Sequence, residues 1–478
     1  MKSTQLQSTQ LSAKRPLTLL ILGVLSLGLS LAEAAPSVFE GQLANGMRVL
    51  VQEDHRAPIV TSQVWYRVGA SDEPGGMTGI SHMLEHMMFK GTKTLPPGKF
   101  SEIIAEHGGQ ENAFTSRDYT AYFQTLAREH LDVAMRLEAD RMRNLNLRAE
   151  DLAKEAEVVK EERRMRTDDN PNAKLMEQFQ ATAYLNGGYH HPVIGWMDDI
   201  NQYDIQKLRA WYQAHYAPNN ATLVVVGDVK PAAVMQLAEK HFGPLKPFKL
   251  KQRDYYDAIA QSGERRISVR APAKLPTLMM GYRVPSLLSA SKNPDVAAWE
   301  PYALEVLAGV LDGGQSARLS KNLVRGEQIA GEVSVGYSLD SRLSDIFTIY
   351  AVPNAHVEPA KLEQAIRNEI NKLRETPVSA AELARVKAQV IAADVYGRDS
   401  VFYQAMRLGS YEAVGLGHAR LNDIIPGIEA ITAEQVQAVA KKYLVDDHLT
   451  VGILDPLPMT EAQAKQATTS IQGASHVR

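Results

Sequence analysis

Near the middle of the chain the alternating strand and helix patterns stop and then begin again, and this restart limits the possible folds more than any other feature. Pro244, Pro247, several Lys and Arg, Tyr255-Tyr256 and Gln261-Ser262-Gly263 make a stretch suited to a linker. Beyond it, Arg266-Ile267-Ser268-Val269 resembles Arg48-Val49-Leu50-Val51, and Tyr282-Arg283-Val284 resembles Tyr66-Arg67-Val68. Val357-Glu358-Pro359-Ala360 likewise resembles Val229-Lys230-Pro231-Ala232. Three matches in one order imply two copies of a single α+β unit. The 478 residues are too many for one ordinary core and suit two domains. The expected architecture is α+β, with two homologous domains, each a mixed β-sheet packed against several helices. The expected boundaries are 37–247, a linker at 248–263, and 264–457, followed by a polar Ala/Ser/Gln-rich tail at 458–478 that reads as disordered.

The first copy opens as a hairpin. Phe39 to Leu43 and Met47 to Val51 alternate in character and meet at Asn45-Gly46. Ile59 to Val68 and Thr120 to Thr125 read as strands, and Ala221 to Val226 is apolar enough for a central one. Helices are expected at Thr78–Phe89, with Thr78 as N-cap, at Glu129–Asn144, and at Asp151–Arg166 before Asn170-Pro171.

Residues 1–34 form a leader rather than part of the fold. Lys14 and Arg15 precede a 16-residue apolar run, Leu17 to Ala32, and Ala32-Glu33-Ala34 supplies a small-x-small cleavage site. The run falls short of the roughly 20 residues that span a bilayer, so the expectation is export, cleavage after Ala34 and no stable membrane span. The chain has no Cys, which excludes disulfides, a thiolate nucleophile and Cys-ligated metal, and suits an oxidising compartment. A net charge of −3 gives no footprint for nucleic acid. Any metal must be held by His and carboxylates.

His82 and His86 lie four apart on an expected helix, so their imidazoles leave one face about a turn apart and can share one tetrahedral ion. Glu85 flanks that position without needing to bind it, where it can take a proton from a metal-activated water. His-x-x-Glu-His is itself a known zinc signature. Zinc needs a further ligand and one open position. Glu155 and Glu162, seven apart, share a face of the Asp151–Arg166 helix that also carries Val158 and Val159, so that face should point inward. Glu157 and Glu161 should face solvent among Lys154, Lys160, Arg163 and Arg164. Spacing alone does not rank Glu155 against Glu162.

Gly79-Ile80-Ser81-His82-Met83-Leu84-Glu85-His86-Met87-Met88-Phe89-Lys90-Gly91-Thr92 resembles the active-site helix of the inverted-zincin family of pitrilysin, insulin-degrading enzyme and the mitochondrial processing peptidase. Gly108-Gly109 with Asn112-Ala113-Phe114-Thr115 resembles its glycine-rich turn and peptide-binding edge strand. Val158-Val159-Lys160-Glu161-Glu162 resembles its second metal helix, and Tyr216 to Val229 a later strand. The resemblance covers residues 37 to about 455 and is more specific in the N-terminal half. It implies a zinc metallopeptidase with one Zn2+ per chain on His82, His86 and Glu162, the last falling 76 residues after His86. Glu85 is then the general base and Glu155 a carboxylate that orients the ligands. Asn112 and Ala113 would hold the backbone of an unfolded or extended peptide adding a strand to the sheet.

The resemblance also implies a partner. The family encloses substrate in a clamshell of four homologous domains, and this chain has two, half of such a shell. The family's opposite half carries an Arg and a Tyr seven apart that grip substrate and oxyanion. Here Arg325 is present, but Glu332 stands where the Tyr is expected, and Tyr337 is twelve residues on. The expectation is a heterodimer with a homologous subunit lacking the zinc motif, a homodimer being the other arrangement. The export signal and the bacterial look of the match place the mature chain in the periplasm. The rival function is a non-catalytic scaffold or a maturation-factor subunit of a peptidase-like complex. His190-His191, His55, His107 and His215 read as structural or surface groups, and Met83, Met87 and Met88 as core.

Overall fold

In the computed structural model, residues 37–250 and 253–460 are described. The leader expected at 1–34 and residues 461–478 of the expected tail lie outside the described residues. Gly46, at φ +90°, closes the expected hairpin between β1 (Val38–Gln42) and β2 (Arg48–Glu53). Together with β3 (Ile59–Tyr66), β4 (Gln110–Thr115), β5 (Thr120–Ala127) and β6 (Ala221–Gly227) they build a sheet in the order β1-β2-β6-β3-β5-β4. The Val-rich β6 is buried throughout, parallel to β2 and antiparallel to β3, as its apolar run requires.

A second sheet holds β7 (Arg265–Pro272), β8 (Thr277–Val284), β9 (Ala330–Gly336), β10 (Asp345–Pro353) and β11 (Leu449–Leu457), in the order β7-β11-β8-β10-β9. The two sheets obey one plan. β7 pairs parallel with β11 as β2 does with β6, and β11 then pairs antiparallel with β8 as β6 does with β3. Five α-helices separate β5 from β6, and five separate β10 from β11. Two of the three sequence matches fall on equivalent strands, β2 with β7 and β3 with β8. The third does not. Val229 to Ala232 opens the helix after β6, whereas Val357 to Ala360 opens the helix after β10, the counterpart of β5. A proline at the first helical turn suits any strand-to-helix junction, so that likeness reflects local chemistry, not position.

The halves exchange a helix. Pro171–Ala183, from the first half, lays Leu175, Phe179 and Ala183 on Val269, Met279, Ile346 and Leu454 of the second sheet. Gly281 and Gly452 leave room for the Phe179 ring there. In return Val401–Val414 lays Ala405, Leu408 and Ala413 on Leu50, Trp65, Val224 and Val226 of the first sheet. Gly409 faces Trp65 so closely that any Cβ would overlap the indole. The described residues thus form one compact unit with no break between the sheets. No described helix is long and apolar enough to cross a membrane.

Candidate metal centre

The helix Ile80–Met87 begins one residue later than Thr78 as N-cap would give. Gly79 is the cap, at φ +81°, and a side chain there would meet the Ile194 carbonyl and the Tyr203 hydroxyl. Thr78 instead donates its hydroxyl to Asp199 at 2.6 Å and accepts from the Trp196 N–H at 2.9 Å. The work of capping falls to Glu73, whose carboxylate accepts from the N–H groups of Gly79 at 2.6 Å and Ser81 at 2.8 Å. Burial pushes the Glu73 carboxyl up to about 8 despite those two donors. The apolar side of the helix, Ile80, Met83, Leu84 and Met87, packs into the core beneath the first sheet, as expected for these methionines.

His82, His86 and Glu162 bring one ligand atom each to within 4.8 Å of one another. Glu162 Oε2 lies 3.3 Å from His86 Nε2 and 3.8 Å from His82 Nε2. Burial, then the neighbouring His86, pulls the His82 imidazole down to about 4, so it is neutral and keeps a lone pair for a ligand. His86 behaves differently. Burial lowers it, but the hydrogen bond and charge of Glu162 outweigh that and raise it above the ordinary value. The same bond holds Glu162 below the usual carboxylate range. Two imidazole nitrogens and one carboxylate oxygen brought this close together fit a zinc ion.

Glu155 and Glu162 do share a face, and the helix that carries them runs Ala149–Arg163 before a π-helical turn at Arg164–Asp168. Glu155 Oε2 is 3.3 Å from His86 Nδ1, the ring nitrogen turned away from Glu162, and its other oxygen takes Lys90 Nζ at 2.5 Å. It is therefore placed to fix the His86 ring and not to join the cluster. Arg166 pairs with Glu162 Oε1 at 2.5 Å, leaving Oε2 for the histidines. Glu157 and Glu161 are exposed as expected, but two neighbours are not as expected. Val158 is 48% exposed, so only Val159 faces the core. Arg163 is buried, bound to Glu177 and the Gly195 carbonyl.

Glu85 points from the helix Ile80–Met87 to β4, where its Oε2 accepts the Thr115 hydroxyl at 2.5 Å. Burial raises the Glu85 carboxyl above its ordinary value, against Thr115 and His86, which lower it. β4 is the last strand of its sheet and pairs only with β5 among the described strands. Asn112 and Ala113 lie on it, and the Asn112 side chain accepts from the Ala113 N–H at 2.9 Å. Asn112 is thus a residue of the edge strand itself.

Arg325 is not brought to the cluster. It is exposed, donates to the Gln315 carbonyl and lines a cleft with Arg318, Lys321, Lys372 and Arg385. Glu332 is exposed on β9. Tyr337 is no substitute donor, because its half-buried hydroxyl is spent on the Pro285 carbonyl at 2.6 Å. Four other histidines make local contacts: His190 meets the Tyr184 carbonyl, His55 sits between Glu53 and Asp228, His107 meets His130 edge-on, and His215 packs on Trp211. The sequence reading missed Glu73, Thr115, Lys90 and Arg166. Of these only Arg166 carried a plain signal, four residues after Glu162 on one helix face.

Residues 48–195 match the family described as Insulinase (Peptidase family M16), and residues 202–390 match its Peptidase M16 inactive domain. The chain belongs to peptidase family M16. The zinc protease PqqE of Helicobacter pylori is 34% identical over 384 residues, spanning 79% of this chain and 84% of that one. A solved protease from Helicobacter pylori, 31% identical, superposes with a TM-score of 0.82 over 88% of this chain and all (100%) of that chain. The periplasmic protease PqqL from Escherichia coli, 19% identical, shares the fold with a TM-score of 0.73, and 91% of this chain covers 50% of that one. The match described as inactive begins at residue 202, in the first half, runs into the second, and contains none of His82, His86 and Glu162.

Proposed function

We propose that the chain is a zinc metalloendopeptidase that hydrolyses unfolded or extended peptides. The reading rests on one observation, the convergence of His82, His86 and Glu162 beside a half-buried Glu85 that is tied to an open sheet edge. Those three residues would hold a zinc ion, which would supply a Lewis acid able to make water nucleophilic near neutral pH. Glu85 holds the proton released by that water and returns it to the leaving nitrogen. Thr115 keeps the Glu85 carboxylate aimed, and Glu155, braced by Lys90, keeps the His86 ring from turning. An extended peptide lies along β4 near Asn112 and Ala113, and folded proteins expose few such segments. A scaffold would need no such ligand cluster. Metal analysis of the purified chain and cleavage of an unstructured peptide library, before and after chelation, test the reading. A chain that binds no zinc, or cleavage indifferent to chelation, would reject it.

A homologous subunit without the zinc motif completes the site, in a heterodimer. This is supported by Arg325 and Tyr337 being engaged within their own half and by the chain covering half of PqqL. The same likeness to a periplasmic protease, with the leader signal, supports export to the periplasm. N-terminal sequencing of the native protein checks this, and an intact Met1 would contradict it.

A further inference from the structure

The two halves meet at a buried polar junction that the proposed chemistry does not use. Arg342, 5% exposed, reaches from the loop between β9 and β10 of the second half into the first. Its Nε donates to Asp118 Oδ1 at 3.1 Å, and its Nη2 to Ser71 Oγ at 2.8 Å and Asp72 Oδ1 at 3.4 Å. Its Nη1 donates to the Asp254 carbonyl at 3.0 Å, and its backbone N–H to Asp118 and the Tyr189 hydroxyl. Arg253 holds Asp72 from the other side with two bonds, at 2.8 and 2.7 Å, and also donates to the Asp118 carbonyl at 2.6 Å. Burial pushes the Asp118 carboxyl up, but the charges of Arg253 and Arg342 overcome this and hold it below its usual value. The junction is therefore charged and fully paired, the condition under which a buried network specifies geometry.

Both segments that Arg342 grips lead directly to the candidate centre. Asp118 sits in the turn that joins β4 to β5, three residues after Thr115, whose hydroxyl holds Glu85. Ser71 and Asp72 form the short 3₁₀ turn Ala70–Asp72, and the next residue is Glu73, which caps the helix of His82, Glu85 and His86. The two segments are also stitched together, Ser71 donating to Asp118 at 2.8 Å and through its N–H to the Arg117 carbonyl at 2.6 Å. One guanidinium from the half without the metal cluster thus fixes both the start of the metal helix and the strand that aims the base.

We infer that Arg342 is a positioning residue for the peptidase centre, holding Glu85 and the helix Ile80–Met87 in register with β4 through Asp118 and Ser71. The inference rests on the peptidase reading for its kinetic consequence alone. A displacement of the base by a fraction of an ångström costs rate without removing any substrate contact.

The test uses the full zinc-loaded chain, with the partner subunit present if activity requires it. Arg342→Ala, Thr115→Val and the double variant are compared for zinc content, thermal midpoint, KM and kcat. Hydrogen exchange is followed in residues 79–88 and 111–120. Arg342→Ala should keep its zinc and hold KM within about twofold while kcat falls about tenfold or more. Exchange should rise in those two windows more than elsewhere. The double variant should lose clearly less kcat than the product of the two single losses, because the route through Asp118 and β4 to Glu85 is shared by both. Ser71→Ala, which keeps every charge, serves if Arg342→Ala does not fold, and should lower kcat about threefold with the same exchange pattern. Wild-type kcat in a folded Arg342→Ala chain, additive losses, or exchange rising evenly along the chain would overturn the inference. So would a Ser71→Ala chain with unchanged kcat and exchange. Should the wild-type chain cleave nothing, the peptidase reading fails, and the exchange windows still decide whether Arg342 holds the two segments.

Discussion

Glu162→Gln and Glu155→Gln, measured side by side, separate a metal ligand from a group that steadies one. The substitutions are matched in size and both delete one negative charge. Their geometry differs. Glu162 contributes one of the three converging donor atoms, 3.3 and 3.8 Å from the two imidazole Nε2 atoms. It is an anion at neutral pH because the His86 hydrogen bond holds its carboxyl low. Glu155 touches only the far nitrogen of His86 and is itself held by Lys90. Losing a group of the second kind typically weakens metal affinity about 10–100-fold, or about 1.4–2.7 kcal/mol. Losing a ligand together with its charge should exceed that range. Zinc dissociation constants from competition against a chromophoric chelator read both directly, without any need for turnover. The expected order is wild type, then Glu155→Gln, then Glu162→Gln, with the last weaker than wild type by more than about 100-fold. A Glu162→Gln chain within about tenfold of wild type, beside a Glu155→Gln chain that has lost its zinc, would refute the ligand assignment.

Glu85→Gln should bind zinc normally and melt at the wild-type temperature but lose peptide cleavage by about 10²–10⁴-fold; unchanged turnover in the metal-replete variant removes Glu85 from the mechanism. Gly409→Ala forces a methyl group into the Trp65 indole and should cost about 1–3 kcal/mol or more in denaturant unfolding, and a midpoint equal to wild type would show that the helix Val401–Val414 does not sit on Trp65. Adding a homologous subunit that lacks the zinc motif should raise peptide cleavage about tenfold or more. Full activity of the chain alone, indifferent to that subunit and to Arg325→Ala, would refute the heterodimer.

The parts of this fold that were legible in sequence are those set by neighbours along the chain. The apolar run Ala221–Val226 announces a central strand, Asn45-Gly46 a hairpin, and the spacing of His82 and His86 a shared helix face, since each needs only local periodicity. The cap of the metal helix was not legible, because Glu73 reaches Gly79 and Ser81 across a loop containing Pro74-Gly75-Gly76 while Thr78, the better local candidate, is taken by Asp199. Helix Lys99–Glu106 is short and follows Pro96-Pro97-Gly98, which reads as a loop. Arg163 looks like one more surface cation until Glu177, on the following helix, comes back to meet it. Amphipathic periodicity shows that Pro171–Ala183 and Val401–Val414 must cover something but cannot say that each covers the sheet of the other half.

That exchange bears on how a peptide can enter. Parting the two halves would uncover Leu175 and Phe179 on one sheet and Trp65 and Leu408 on the other, each fully or almost fully buried. Burying one such side chain is worth about 1.5–3 kcal/mol, so separation exposes many kcal/mol of apolar surface before the paired charges of Arg342, Asp118, Asp72 and Arg253 are broken. Parting the two halves is therefore costly on the scale of a binding event. The side open to Glu85 and the candidate cluster that no described strand covers runs along β4, at the end of its sheet. In the heterodimer proposed above, the wall opposite that edge would belong to the partner subunit, and a wall not locked by exchanged helices is the one free to move.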